Sequence, residues 1–112
     1  MSVYVRNLTI DTHSDFSENF EMLTANNARL DLSNYTIHSH LRKVASSVGF
    51  TTITVGVTSA ADGELTLSIG STDNGYLKPG RHVYDVLAID GMNKKSILVE
   101  GTVTVRQGIT TN

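Results

Sequence analysis

Leu77-Lys78-Pro79-Gly80-Arg81-His82-Val83-Tyr84-Asp85-Val86-Leu87-Ala88-Ile89-Asp90, LKPGRHVYDVLAID, decides the fold class. Pro79-Gly80 is turn chemistry, because Pro presets one backbone angle and Gly accepts angles that other residues avoid. The run that follows is rich in β-branched, aromatic and aliphatic residues and ends at Asp90-Gly91, the composition and punctuation of a strand. Successive side chains of a strand point to opposite faces. One register gathers His82, Tyr84, Val86 and Ala88, and the other gathers Val83, Asp85, Leu87 and Ile89. The first set is assigned to the core. The second places three apolar side chains where a solvated layer calls for polar ones, which suits a subunit interface. Val83, Leu87 and Ile89 are therefore the candidate interface residues. The competing account keeps that face inside, under loops or in a sheet bent so that both sides belong to one core.

Outward from this strand the dominant period is two. Val3, Tyr4 and Val5 begin a short strand, and Asp15 to Leu23 follows with Phe16, Phe20 and Met22 on one extended face, although Phe16, Phe20 and Leu23 also fit a helical spacing. Tyr35, Ile37 and Leu41 alternate with polar partners. Ile53, Val55 and Val57 do the same, then Asp62-Gly63 turns the chain into Leu65, Leu67 and Ile69, a hairpin. Residues 71–77 suit a single helical turn, and Asp90-Gly91 with Asn93 marks a tight connection into Ser96 to Arg106. In that last strand Ile97, Val99, Val103 and Val105 are expected on one face, with a bulge or a close backbone approach at Gly101. About seven short strands in about 100 residues predict an all-β protein, an immunoglobulin-like antiparallel β-sandwich, with an open barrel as the alternative. Residues 1–112 are expected to form a single domain with a loose tail over 108–112.

Composition narrows the function. With 11 acidic and 9 basic residues the formal charge is −2, so no basic field is available for nucleic acid and no polybasic segment for a membrane. There is no cysteine, which removes disulfides and thiolate metal sites. Met1 leads into a polar segment without the charged and apolar regions of a secretion signal, and no apolar run reaches the ~18 residues of a membrane span.

Catalytic equipment is sparse. His38 and His40 share a strand face, half of a metal site, but the strand supplies no acidic ligand at a fitting offset, and exposed polar pairs are the ordinary content of a solvent face. His13 sits in a polar turn. Asp11, Asp15, Glu18 and Glu21 are carboxylates of a solvated face rather than a glycosidase pair, which needs a cleft. No serine lies in a nucleophile elbow and no glycine loop is built to cradle phosphate. The expectation is no enzyme, no catalytic residue, no metal and no cofactor. Aromatic residues are 6% with no Trp, a thin supply for stacking on sugars or bases, with Phe50 and Tyr76 the candidates.

Three stretches together carry a family resemblance. Leu30-Asp31-Leu32-Ser33-Asn34-Tyr35 with His40-Leu41-Arg42 looks like the DLTG…R segment of small β-sandwich domains in tailed-bacteriophage virion proteins, including the N-terminal domain of baseplate upper proteins. Gly63 to Ile69 (GELTLSI), Leu77 to Asp85 (LKPGRHVYD) and Gly101 to Val105 (GTVTV) with Ile109-Thr110 resemble that family's GxLxLxL, LxPGxYxYD and GxVxV…T. The likeness spans about residues 15–110 and rests on the order of the motifs. Asn34 stands for the usual Gly, and His82 for the first Tyr of its pair, which bears on a tyrosine-corner hydrogen bond. The resemblance implies a non-enzymatic structural protein of a phage particle in the tail, baseplate, neck or head surface. It further implies assembly in the host bacterial cytoplasm, location in the virion, and multiple copies meeting other virion proteins. A receptor- or glycan-binding module on the virion is the alternative. Far-ultraviolet circular dichroism is expected to show β structure with little helix; a helical content of about a third, the average for globular domains, would return Asp15 to Leu23 to the helical alternative.

Overall fold

The computed structural model describes residues 4–23, 28–44, 46, 49–70 and 77–109, with the backbone only for Tyr4. Among the described residues eight strands follow one another: β1 (Tyr4–Val5), β2 (Leu8–Asp11), β3 (Phe16–Glu21), β4 (Thr36–Arg42), β5 (Thr51–Ser59), β6 (Glu64–Ile69), β7 (Gly80–Ile89) and β8 (Lys95–Arg106). There is no helix among the described residues. The expected turn at 71–77 lies almost wholly outside them, as do Tyr76 and residues 110–112.

Pairing runs in the order β1-β8-β7-β4-β5-β6-β3, with β2 also beside β8. The sheet is mixed where an antiparallel one was expected, because β1 and β2 run parallel to β8. It is also continuous and nearly closed, because β5 belongs to both halves. Its residues Thr51 to Ile53 pair with β4, and Thr54 to Ser59 pair with β6. The two free ends approach through side chains: Arg6 Nη2, between β1 and β2, donates to Glu18 Oε1 of β3 at 2.7 Å and its guanidinium lies 5.6 Å from the Phe20 ring centre.

The interior is filled by the alternation read from the sequence. His82, Tyr84, Val86 and Ala88 are all buried, as are Phe20, Met22, Leu41, Leu65, Leu67, Ile69, Val99, Val103 and Val105. Ser39 occupies a core position of β4, and its hydroxyl donates to the Asp85 carbonyl at 2.7 Å, so no buried polar group is orphaned there. β2 was not foreseen. Leu8 and Ile10 are among the most buried residues, yet four residues of alternation carry a weak signal, and the partner strand lies at the other end of the chain.

The last strand departs from a simple period. Register between β7 and β8 shifts between Val86–Val99 and Leu87–Ile97, leaving Leu98 without a counterpart. That bulge buries Leu98 and Val99 consecutively and turns Ile97 to the outer face beside Leu87, whereas the sequence placed Ile97 in the core. At Gly101 the structure has the close approach instead. A Cβ there would lie 2.1 Å from the Arg6 carbonyl oxygen. The same oxygen accepts from the Tyr84 hydroxyl at 2.6 Å, and Arg6 N donates to the Glu100 carbonyl at 3.0 Å. Asn7 Oδ1 replaces a ladder acceptor for Thr102 N at 3.1 Å.

His82, standing where the resemblance has Tyr, bonds Nε2 to the Lys78 carbonyl at 2.8 Å, four residues earlier, and so supplies a corner bond of the kind Tyr makes elsewhere. Its Nδ1 is buried without a partner among the described residues. At the other turn, Asp90 Oδ1 accepts from Met92 N and Lys94 N, and Asn93 takes the left-handed angle. Gly108 N donates to Thr12 Oγ1 at 2.8 Å, holding the first residue of the expected tail.

These contacts set Gly101 apart from Gly56, the glycine inside β5. Gly101→Ala is expected to force the Arg6 crossing off β8 and cost about 2–4 kcal/mol. Gly56→Ala, where nothing lies within 4 Å of the added carbon, is expected to be neutral or to stabilise by up to about 1 kcal/mol. Equilibrium urea unfolding compares the two, and equal effects would contradict the close approach.

Candidate functional site

The outward register of β7 faces a groove of about 600 Å³. Its apolar wall is Val5, Val83, Leu87 and Ile97, from β1, β7 and β8; its polar rim is His40, Arg42, Asp85, Glu100 and Thr102. Strand pairing explains the grouping. Leu87 stands opposite Ile97 on β8 and His38 on β4, Asp85 stands opposite Glu100 and His40, and Val83 stands opposite Thr102 and Arg42. Val83 and Leu87, two of the three candidate interface residues, line the groove and are half-buried. Ile89 is half-buried on the same face but pairs with Thr36 and Lys95 beyond the groove. Ile97 and Val5 complete the wall. The sequence concealed Ile97 behind the Leu98 bulge, and Val5 reaches this face only because β1 lies beside β8. Val5 is 65% exposed.

One end of the groove carries aromatic structure. The Phe50 and His40 rings stack with centroids 3.9 Å apart at 14°, and the Arg42 guanidinium lies 4.8 Å from the Phe50 ring centre. Phe50 remains 49% exposed. His38 and His40 do share a face, but His40 is turned to Phe50 while His38 is exposed beside Leu87. The described residues hold no group of three or more metal-ligating side chains.

Three of the four carboxylates considered for hydrolysis, Asp11, Glu18 and Glu21, meet arginines. Asp11 is held bidentately by Arg106, 2.6 Å from Nε and 3.1 Å from Nη2, and the hydrogen bond from Arg106 holds its carboxyl below the ordinary aspartate value. The stabilisation is present above that ordinary value and is lost as pH falls through the lowered one. Glu18 meets Arg6, and Glu21 meets Arg29 at 3.5 Å. Asp15 and His13 are exposed. Asp31 is held below its ordinary value by the Ser33 hydroxyl and by Ser33 N in a local turn. Asp11, Glu18, Glu21 and Asp31 tie strands and turns together, and neither they nor Asp15 and His13 line the groove.

No protein-family profile matches this chain, and no curated protein sequence matches it. Similar solved structures include an internalin-like protein of Listeria monocytogenes, 13% identical with a TM-score of 0.45, over 95% of this chain and 28% of that one. A family 123 glycoside hydrolase from Clostridium perfringens is 8% identical with a TM-score of 0.45, over 97% of this chain and 24% of that one. The chain thus spans about a quarter of the length of either structure.

Phe50→Leu is expected to remove the ring current on His40 without disturbing the fold, since Phe50 is exposed and outside the core. The His40 ring protons should move downfield in NMR spectra while the amide pattern of β7 and β8 is kept. Unmoved His40 signals would contradict the stack.

Proposed function

We propose that the chain is an immunoglobulin-like β-sandwich that acts as a non-enzymatic structural component of a tailed-bacteriophage particle, docking on other virion proteins through the outer face of β1, β8, β7 and β4. The sandwich form is supported by the division of β5, which leaves β1/β2-β8-β7-β4 as one layer and β5-β6-β3 as the other. The smallest extent of the molecule, 21 Å, suits two sheets packed about 10 Å apart. The phage assignment rests on the ordered resemblance of DLSN, GELTLSI, LKPGRHVYD and GTVTV.

The observation that carries docking is the wall of Val5, Val83, Leu87 and Ile97 along an open groove. Apolar side chains from three neighbouring strands form one patch, the composition of an interface centre, whereas scattered exposed residues need no partner. A second reading, a receptor- or glycan-binding module, is favoured by the exposed Phe50–His40 stack, a platform for an apolar sugar face.

Leu87→Gln tests the proposal. The site is half-buried and outward, so the unfolding midpoint should move by no more than the ~0.5 kcal/mol usual for surface changes. An amide buried in a dry contact without a partner costs about 1–3 kcal/mol, so incorporation of the variant into phage particles, measured by mass spectrometry of purified virions, should fall about tenfold or more. Absence of the wild-type chain from particles overturns the phage reading. Normal incorporation of the variant overturns this face as the contact, and loss of glycan-array binding in Phe50→Ala with particles intact favours the second reading.

A further inference from the structure

Two pairs of like charges stand directly opposite one another on neighbouring strands of this molecule: Glu21 with Glu64 across β3 and β6, and Asp85 with Glu100 across β7 and β8. Such pairs destabilise a sheet. The molecule answers the first with its own cation, for Arg29 Nη1 lies 3.5 Å from Glu21 Oε2 and 3.6 Å from Glu64 Oε1. Asp11 and Glu18 also have arginines. The second pair has none. Neither the Asp85 nor the Glu100 carboxylate has a hydrogen-bond or ion-pair partner among the described residues, although both line the apolar groove.

Resting on the docking function proposed above, we infer that the groove receives a partner segment with a basic side chain, foremost an arginine, seated between Asp85 and Glu100 and flanked by apolar residues on Val83 and Leu87. Three features select this occupant. A wholly apolar partner would bury two carboxylates unpaired, which costs more than the apolar contact returns. A second copy of this face brings two further carboxylates, and the cation lining its groove, Arg42, lies against the Phe50 ring. A guanidinium spans two acceptors with parallel N–H donors, as Arg106 does on Asp11.

The test uses the whole chain and short extended Ser/Val peptides that differ only in a central Arg, Gln or Glu, titrated by NMR. The Arg peptide is expected to shift the amides of Val83, Asp85, Leu87 and Glu100 and to bind about tenfold more tightly than the Gln peptide, the worth of one charge-assisted bond. The Glu peptide should not bind. Asp85→Asn with Glu100→Gln should fold at least as stably as the wild type, since a repulsion is removed, and should level the Arg and Gln peptides. Leu87→Gln should weaken both peptides together. Equal affinity of Arg and Gln peptides for the wild type overturns the basic occupant and leaves the docking face standing. If no peptide moves the groove amides and Leu87→Gln leaves virion incorporation unchanged, both inferences fall.

Discussion

The fold depends on the place where the first strand crosses the last. At Arg6 the chain passes over Gly101 so closely that a side chain there would overlap the Arg6 carbonyl, and that carbonyl is held by the hydroxyl of Tyr84, the cross-strand partner of Gly101. The space a side chain would fill at Gly101 is taken by the Arg6 carbonyl, and the Tyr84 hydroxyl reaches across β8 to the same oxygen. Three strands from the beginning, middle and end of the chain are thereby fixed at one point. The contact joins residues 78 apart in sequence, so it forms only when the loop between them has closed, at an entropic cost that grows slowly with length.

From that point the sheet extends to β3, where Arg6 appears again. Its backbone fastens β1 and β2 to β8, and its guanidinium reaches Glu18 on the opposite edge. One residue therefore serves both ends of a nearly closed sheet. The Arg6–Glu18 pair is part-exposed, and a surface ion pair is worth little by itself. It matters here for geometry, as a bridge between the two ends of the strand order.

The charges on the two faces follow a common rule with one departure. Arg29 answers Glu21 and Glu64, two carboxylates made adjacent by strand pairing, while Arg106 and Arg6 each meet one carboxylate, Asp11 and Glu18. Asp85 and Glu100 are made adjacent in the same way, in the middle of the groove, without such an answer. Natural surfaces tolerate such repulsion where a site has another use. Apolar wall, stacked rim and unanswered carboxylates lie on one face, while the opposite register of the same strand is core.

LKPGRHVYDVLAID by itself determined that β7 is a strand, which register is buried and that the other register is unusually apolar, because alternation is a local property set by the covalent geometry of an extended chain. The same local rule found the buried residues of β6 and the outward aim of Val83 and Leu87, but in β5 it placed Val57 with Ile53 although Val57 is 44% exposed; turn residues found the Asp62-Gly63 and Asp90-Gly91 turns. Pairing partners are not local. β2 was missed because its four residues take their meaning from β8, and Ile97 was assigned to the core because a bulge at Leu98 inverts the period without a mark in the side-chain pattern. The mixed, nearly closed sheet, the seat of Arg6 on Gly101 and the Asp85–Glu100 pair were decided by tertiary structure alone, since each depends on register between segments whose separation along the chain leaves no periodic signal.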